Sequence, residues 1–281
     1  ACSRISPYLA YGALSIREAF HAVRQRTDAL REAEQAGEPI DKRWFGSLKS
    51  FEGRLRWHCH FMQKLEDEPD IEFKNFNRAY DGLREDAFDE AHFEAWKKGE
   101  TGYPLVDAVM RCLHATGWVN FRMRAMLVSF AAYHLWLHWR RPAVFLARHF
   151  LDFEPGIHFS QFQMQSGVTG INTIRIYSPI KQAQDQVPDG VFIKRWVPEL
   201  AAVPNEYLAD PQKLPALVAA SVGFKIGSTY PRPIVEHGPA YQAAKRRMFA
   251  VKKSAAAKVE AKRVYQKHGS RKRNERIDAN W

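Results

Sequence analysis

The sequence predicts an all-α protein with a basic C-terminal extension, on three observations. Helix caps and helix formers recur from end to end, and no alternating apolar–polar run longer than about five residues interrupts them. The 281 residues are 46% hydrophobic and 26% charged, enough apolar material for a large core, which excludes disorder, a collagen-like fibre and a mini-scaffold. Positive charge collects at one end. Thirteen Lys/Arg stand against three Asp/Glu in residues 241–281, whereas the whole chain has a net charge of +11.

The elements follow in order. Ser15 with Glu18 forms a capping box, and the helix it opens runs towards Gly37. Ser47 to Leu65 is a second helix, with Gly53 as its weak point. Phe93 to Lys98 stops at Gly99, and Val106 to Thr116 stops at Gly117. Trp118 to Trp139 reads as the longest helix, ending before Pro142, and Pro142 to Leu151 as a short one. From Asp152 to Pro179 the residues Pro155, Gly156, Gly167 and Gly170 break helix into loops. Leu214 to Val222 is weakly helical. From Tyr241 the chain is helix-permissive as far as His268-Gly269, and a polar end follows.

The body, residues 1–240, is nearly neutral, so the charge belongs to the extension, residues 241–281. A polycation of this kind suits a polyanion such as nucleic acid, through release of counterions, or simply a solvated helix. The apolar stretch Trp118–Trp139 carries Arg122, Arg124, His134 and His138, which makes it a buried helix rather than a membrane span. The chain opens on Ala1 without a hydrophobic leader, as a fragment or a short form would. Cys2, Cys59 and Cys112 are too few and too scattered for a disulfide framework, which places the protein in the reducing cytoplasm.

Several chemistries find no foothold. A Gly-x-Gly-x-x-Gly turn, a Walker loop, a Gly-x-Ser-x-Gly elbow and a zincin helix are all missing. His58 and His60 are two apart, and on a helix such residues point in different directions, so a shared metal is not expected. What stands out is a polar set in aromatic surroundings: Arg54, Arg122, Arg124, Asp152, Glu154 and His158. Buried charges need partners. The set reads either as a structural ion-pair network or as a cradle for a planar, hydrogen-bonding cofactor.

Five collinear blocks resemble the FAD-binding domain of the photolyase/cryptochrome superfamily, over about residues 1 to 205. They are Cys2-Ser3-Arg4-Ile5-Ser6, Thr101-Gly102-Tyr103-Pro104-Leu105-Val106-Asp107-Ala108, and Ala115-Thr116-Gly117-Trp118 with Arg122-Met123-Arg124. Asp152 to Pro179, closing on Arg175-Ile176-Tyr177-Ser178-Pro179, and Asp189-Gly190 through Trp196-Val197-Pro198-Glu199-Leu200 complete them. The N-terminal antenna domain usual in that family is not represented.

The resemblance implies a helical domain holding FAD. Ser3, Arg4, Ile5 and Ser6 would take the phosphates, ahead of the helix capped by Ser15. Phe51, Arg54 and Phe121 would border the cofactor. Arg124 and Asp152 would pair beside the flavin ring, with Glu154 along its edge. His158 falls where the family often has Asn at flavin N5, and unlike Asn it can be neutral or protonated near pH 7. Trp57 and Met164 would line the lesion cavity, with Arg54 in place of a Glu and Phe121 in place of an Asn, so Trp57, Met164, Arg54 and His158 are the expected catalytic set. Of the three tryptophans that feed electrons to the flavin, Trp96 and Trp139 are kept and the third position is Phe162. Trp136 and Tyr133 are possible substitutes. Arg122 and Arg175 match positions that hold DNA phosphates, joined here by Lys245, Arg246 and Arg247. The function implied is light-driven repair of ultraviolet photoproducts in single- or double-stranded DNA by a monomer. The alternative is a cryptochrome-like light sensor using the same FAD.

Overall fold

The computed structural model describes residues 2–269 and consists of helices packed around one large core. The only β pairing among the described residues is an isolated bridge between Ile226 and Tyr230. None of the described helices is long and apolar enough to cross a membrane.

The first part of the site is carried by a short helix α1 (Ser6–Ala10), a long α2 (Ile16–Gln35) and the longest helix, α3 (Arg43–Asp67). Ser15 and Glu18 form the capping box of α2, with the Glu18 carboxylate accepting from the Ser15 backbone N–H at 2.8 Å. Ala19, Val23 and Leu55 make the seam that holds α1 and α2 to α3, and Phe51 packs against it. Gly53 does not interrupt α3, because Phe51 before it and Leu55 after it both pack into the apolar seam.

Next come α4 (Glu90–Lys98) and α5 (Pro104–Thr116), which end on Gly99 and Gly117 in the left-handed conformation. A side chain at Gly99 would meet the Asp107 carbonyl at 2.9 Å, so the close approach as well as the φ of 66° requires glycine there. The single helix expected over Trp118–Trp139 is not formed. It is replaced by α6 (Phe121–Ser129), a π turn over Phe130–His134, and a break before α7 (Arg140–Ala147). Trp136 sits at φ 54°, and the Leu137 N–H reaches back to the Ala131 carbonyl. Nearly every side chain from Met123 to Leu135 is buried, so the break is imposed by packing on all sides. The second helix expected here, Pro142 to Leu151, is α7, begun two residues earlier and ended four earlier.

The chain continues through α8 (Pro155–Ser166), α9 (Pro179–Gln186), α10 (Val191–Trp196) and α11 (Ala216–Ser221) to α12 (His237–Lys253) and α13 (Ala255–His268). Ser254 separates the last two as N-cap of α13, its hydroxyl accepting from the Ala257 N–H. Both lie on the body: Ala244 and Met248 of α12 and Ala257, Val264 and His268 of α13 are buried. The polar end expected beyond Gly269 lies outside the described residues.

Candidate flavin site

Two helix starts bring the ring-side residues together. Asn120 caps α6 by accepting from the Met123 N–H at 3.1 Å, which orients the first turn carrying Arg124. Arg124 donates to the Val119 carbonyl and to Asp152 Oδ2, both at 2.8 Å, and its guanidinium lies 4.2 Å from the centre of the Phe150 ring. Asp152 Oδ1 is buried and has no hydrogen-bond partner. A buried carboxylate oxygen facing nothing is costly unless a ligand donates to it.

His158 stands one turn into α8, enclosed by Phe150, Phe153, Phe159 and Phe162. Its Nε2 lies 2.8 Å from the Ala143 carbonyl. A carbonyl can only accept, so Nε2 carries the proton and Nδ1 is left as an acceptor. Burial lowers the imidazole to about 4, against the Ala143 contact, which acts to raise it. Of the two forms expected from the sequence, the neutral one prevails at pH 7.

Glu154 precedes α8, with Oε1 3.5 Å from His58 Nε2, too far for a firm hydrogen bond. His60 turns the other way, against Trp57 and Phe61. Among the described residues, no three His, Cys, Asp or Glu side chains gather as metal ligands would.

The phosphate-side residues Ser3 and Arg4 are exposed, and Ile5 and Ser6 half-buried. Arg4 holds φ 57°, with its guanidinium 5.3 Å from the centre of the Trp118 ring, and the Trp118 indole donates to Ser6 Oγ at 3.3 Å. The helix capped by Ser15 follows α1, and within its first turn the Glu18 N–H already donates to the Ser15 hydroxyl at 3.1 Å. Phe51 belongs to the apolar seam with Leu55. Arg54, Phe121, Arg122 and Arg175 are exposed.

Trp57 and Met164 do converge. With His60, Phe61, Lys64 and Ser160 they line a cavity of about 160 Å³, whose wall is shared by Phe76, Thr169 and Ile171 of the body and by Val264, Tyr265 and His268 of α13. Burial lowers the Lys64 ammonium to about 8, and the Ser160 hydroxyl and His60 Nε2 lack partners. Sequence reasoning missed His60, Lys64 and Ser160. The spacing 57, 60, 61, 64 along α3 was the available signal, since it places those side chains on one face.

The tryptophans sit in different surroundings. Trp96 is buried against Phe93 and Phe145, and Trp139 donates to Asn75 Oδ1 at 2.7 Å. Trp136 is flanked by the guanidinium groups of Arg84 and Arg247, at 4.5 Å and 4.8 Å from its ring centre. Two cations beside an indole oppose its oxidation to a radical cation, which weakens Trp136 as a replacement for the position of Phe162. Tyr133 is buried and its hydroxyl is unpartnered.

The family model of the FAD binding domain of DNA photolyase matches residues 51–250. A deoxyribodipyrimidine photo-lyase of Agrobacterium fabrum is 31% identical over 258 residues, 90% of this chain and 50% of that protein. Cryptochrome-1 of Arabidopsis thaliana is 32% identical over 83% of this chain and 34% of its own length. Among solved structures, a bacterial class III photolyase from Agrobacterium tumefaciens superposes with a TM-score of 0.78 at 30% identity, covering 90% of this chain and 50% of that one. The chain thus spans about half the length of the photolyases it matches.

Proposed function

This chain belongs to the family of the FAD binding domain of DNA photolyase, and from that premise we propose that it is a light-dependent DNA repair flavoprotein acting on ultraviolet-induced pyrimidine photoproducts. FAD is the cofactor of such a domain, and the residues present fit it. Asp152 offers a buried acceptor with nothing bound to it, Arg124 is fixed beside it by the Val119 carbonyl, and His158 presents an unprotonated Nδ1. Asp152, Arg124, Glu154 and His158 would hold the ring end, and Ser3, Arg4 and Ser6 the phosphates.

Bound and reduced, FAD supplies a light-driven electron that is returned once the lesion has split, with no net redox change. The chain's own part is to hold, enclose and admit. The phenyl rings around His158 exclude water from its side of the site, and the Arg124–Asp152 pair sets orientation through fixed charges. Trp57 and Met164 give an unstacked base an aromatic face and a soft one. Exposed Arg122, Arg175, Lys245 and Arg246 supply the phosphate-directed charge.

The observation that carries this reading is the half-satisfied Asp152 held by Arg124. The test is to illuminate the reduced protein with single- and double-stranded DNA containing pyrimidine dimers and to assay reversal. Turnover is expected. Photoreduction without reversal would favour a cryptochrome-like sensor, a reading supported by how small the cavity is with α13 in place.

A further inference from the structure

The cavity between Trp57 and Met164 is bordered by a helix far away in sequence. Val264, Tyr265 and His268 of α13 form one part of its wall. Its volume of about 160 Å³ falls below the roughly 300–1,000 Å³ of ordinary small-molecule sites, and a photoproduct of two joined bases needs more room than that. With α13 seated, the enclosed part of the cavity is smaller than such a ligand.

The ion pairs that seat the last turns of α13 converge on one carboxylate. Glu68, at the C-terminal end of α3 and largely buried, lies 2.7 Å from His268 Nε2, 3.2 Å from Lys267 Nζ and 3.7 Å from an Arg263 nitrogen. All three partners belong to the last two turns of α13. Arg78, from the body, adds a fourth cation at 3.9 Å. Beside these ion pairs, Val264 packs against Ile71 and Phe76, the His268 ring lies edge-on to Phe76, Arg263 donates to the Phe76 carbonyl at 2.6 Å, and the Asn77 amide donates to the Ala257 carbonyl at 3.0 Å. Ser254, extended between α12 and α13, is the natural pivot. Lys267 and Arg263 are about two-fifths exposed, within reach of a ligand in solution.

We propose that α13 is a polyanion-operated cover of the Trp57 cavity: nucleic-acid phosphates draw Lys267 and Arg263 away from Glu68, the last turns of α13 lift about Ser254, and the cavity opens to a base. The proposal rests on the DNA-repair reading and adds to it that the strand unlocks its own site. Phosphates compete for Lys267 and Arg263 because these two cations are partly solvated, and such pairs weaken when another polyanion offers more charge.

Hydrogen–deuterium exchange of residues 255–268, in the dark and without lesions, tests it. Glu68→Gln is expected to speed exchange there by about tenfold, the scale of one charged hydrogen bond. Lys267→Gln, on a half-exposed side chain that leaves the core intact, should act in the same direction but less. Undamaged oligothymidylate, with its binding followed by anisotropy, should accelerate exchange in the wild type and add little in Glu68→Gln. Dextran sulfate, a polyanion without bases, should accelerate it too. Binding of oligothymidylate without any change at 255–268 overturns the proposal, as does indifference to both Glu68→Gln and Lys267→Gln. If oligothymidylate fails to bind while dextran sulfate and Glu68→Gln still release α13, the DNA reading falls and the ionic cover stands.

Discussion

Two buried carboxylates in this protein are treated in opposite ways. Asp107, at the start of α5, is saturated. It accepts from the Thr101 N–H and hydroxyl at 2.8 Å and 2.6 Å, from the Gly102 N–H at 3.1 Å, and from the Tyr230 hydroxyl. Asp152 keeps one oxygen for Arg124 and leaves the other buried and bare. The first ties the loop before α5 to a segment more than a hundred residues away, and nothing remains for a ligand to take. The second is unfinished, and an unfinished buried acceptor marks the place where the fold waits for something.

The largest expected effect breaks the saturated one. Asp107→Ala strands two backbone N–H groups, the Thr101 hydroxyl and the Tyr230 hydroxyl in a dry interior, and should cost about 3–5 kcal/mol in denaturant unfolding. Asp152→Ala in the FAD-free protein should cost only about 1–2 kcal/mol, since Arg124 keeps the Val119 carbonyl and some solvent. Its larger effect should be on FAD retention, with binding weakened tenfold or more by titration of the apoprotein. Equal stability losses in the two variants would dissolve the contrast.

A second effect separates the groups buried in anticipation of a ligand from those buried for packing. Burial lowers His158 to about 4 and His134 to about 3, the latter with His237 adjacent. Both fold as neutral rings, so the folded state resists protonation. Their contribution is complete above the ordinary histidine value near 6.5 and is lost as pH falls through 6.5 towards 4 and 3. His158→Asn should remove its share, making the loss of stability between pH 7 and pH 5 smaller by about 2 kcal/mol than in the wild type. An identical pH profile would mean that His158 protonates freely in the folded state.

The same contrast explains what could be read from the residues. Local signals were legible: the Ser15–Glu18 box, the glycine stops at Gly99 and Gly117, and the run of helix formers in α2 all appear where the residues place them. The break at Phe130–His134 was not. It has neither Gly nor Pro, and the apolar pattern continues straight through it, because those residues are buried on every side. The Ser254 cap was legible and overlooked. Of the site, the Arg124–Asp152 pair followed from the resemblance of their segments. The Glu68 latch joins residues 200 apart and left no mark on the local sequence.

The smallest effect carries the contrast to the basic surface. Lys245, Arg246 and Arg247 are adjacent and exposed, yet Arg247 is engaged with the Trp136 ring, and Lys245 lies 5.9 Å from the ring centre of Tyr241. Arg246 makes no ion pair or hydrogen bond among the described residues. Deleting everything after Ala240 would be a poor probe of this surface, because it removes Ala244 and Met248 from the core along with the charge. Arg246→Gln isolates the electrostatics. It should lower the slope of log affinity against log salt by about one and weaken damaged and undamaged strands alike. Arg247→Gln should change the slope less, and should in addition shift Trp136 fluorescence. If the two variants gave the same slope with Trp136 emission unaltered, the Arg247–Trp136 contact would not restrain that guanidinium in solution, and the difference between an engaged cation and an available one would fail at the surface.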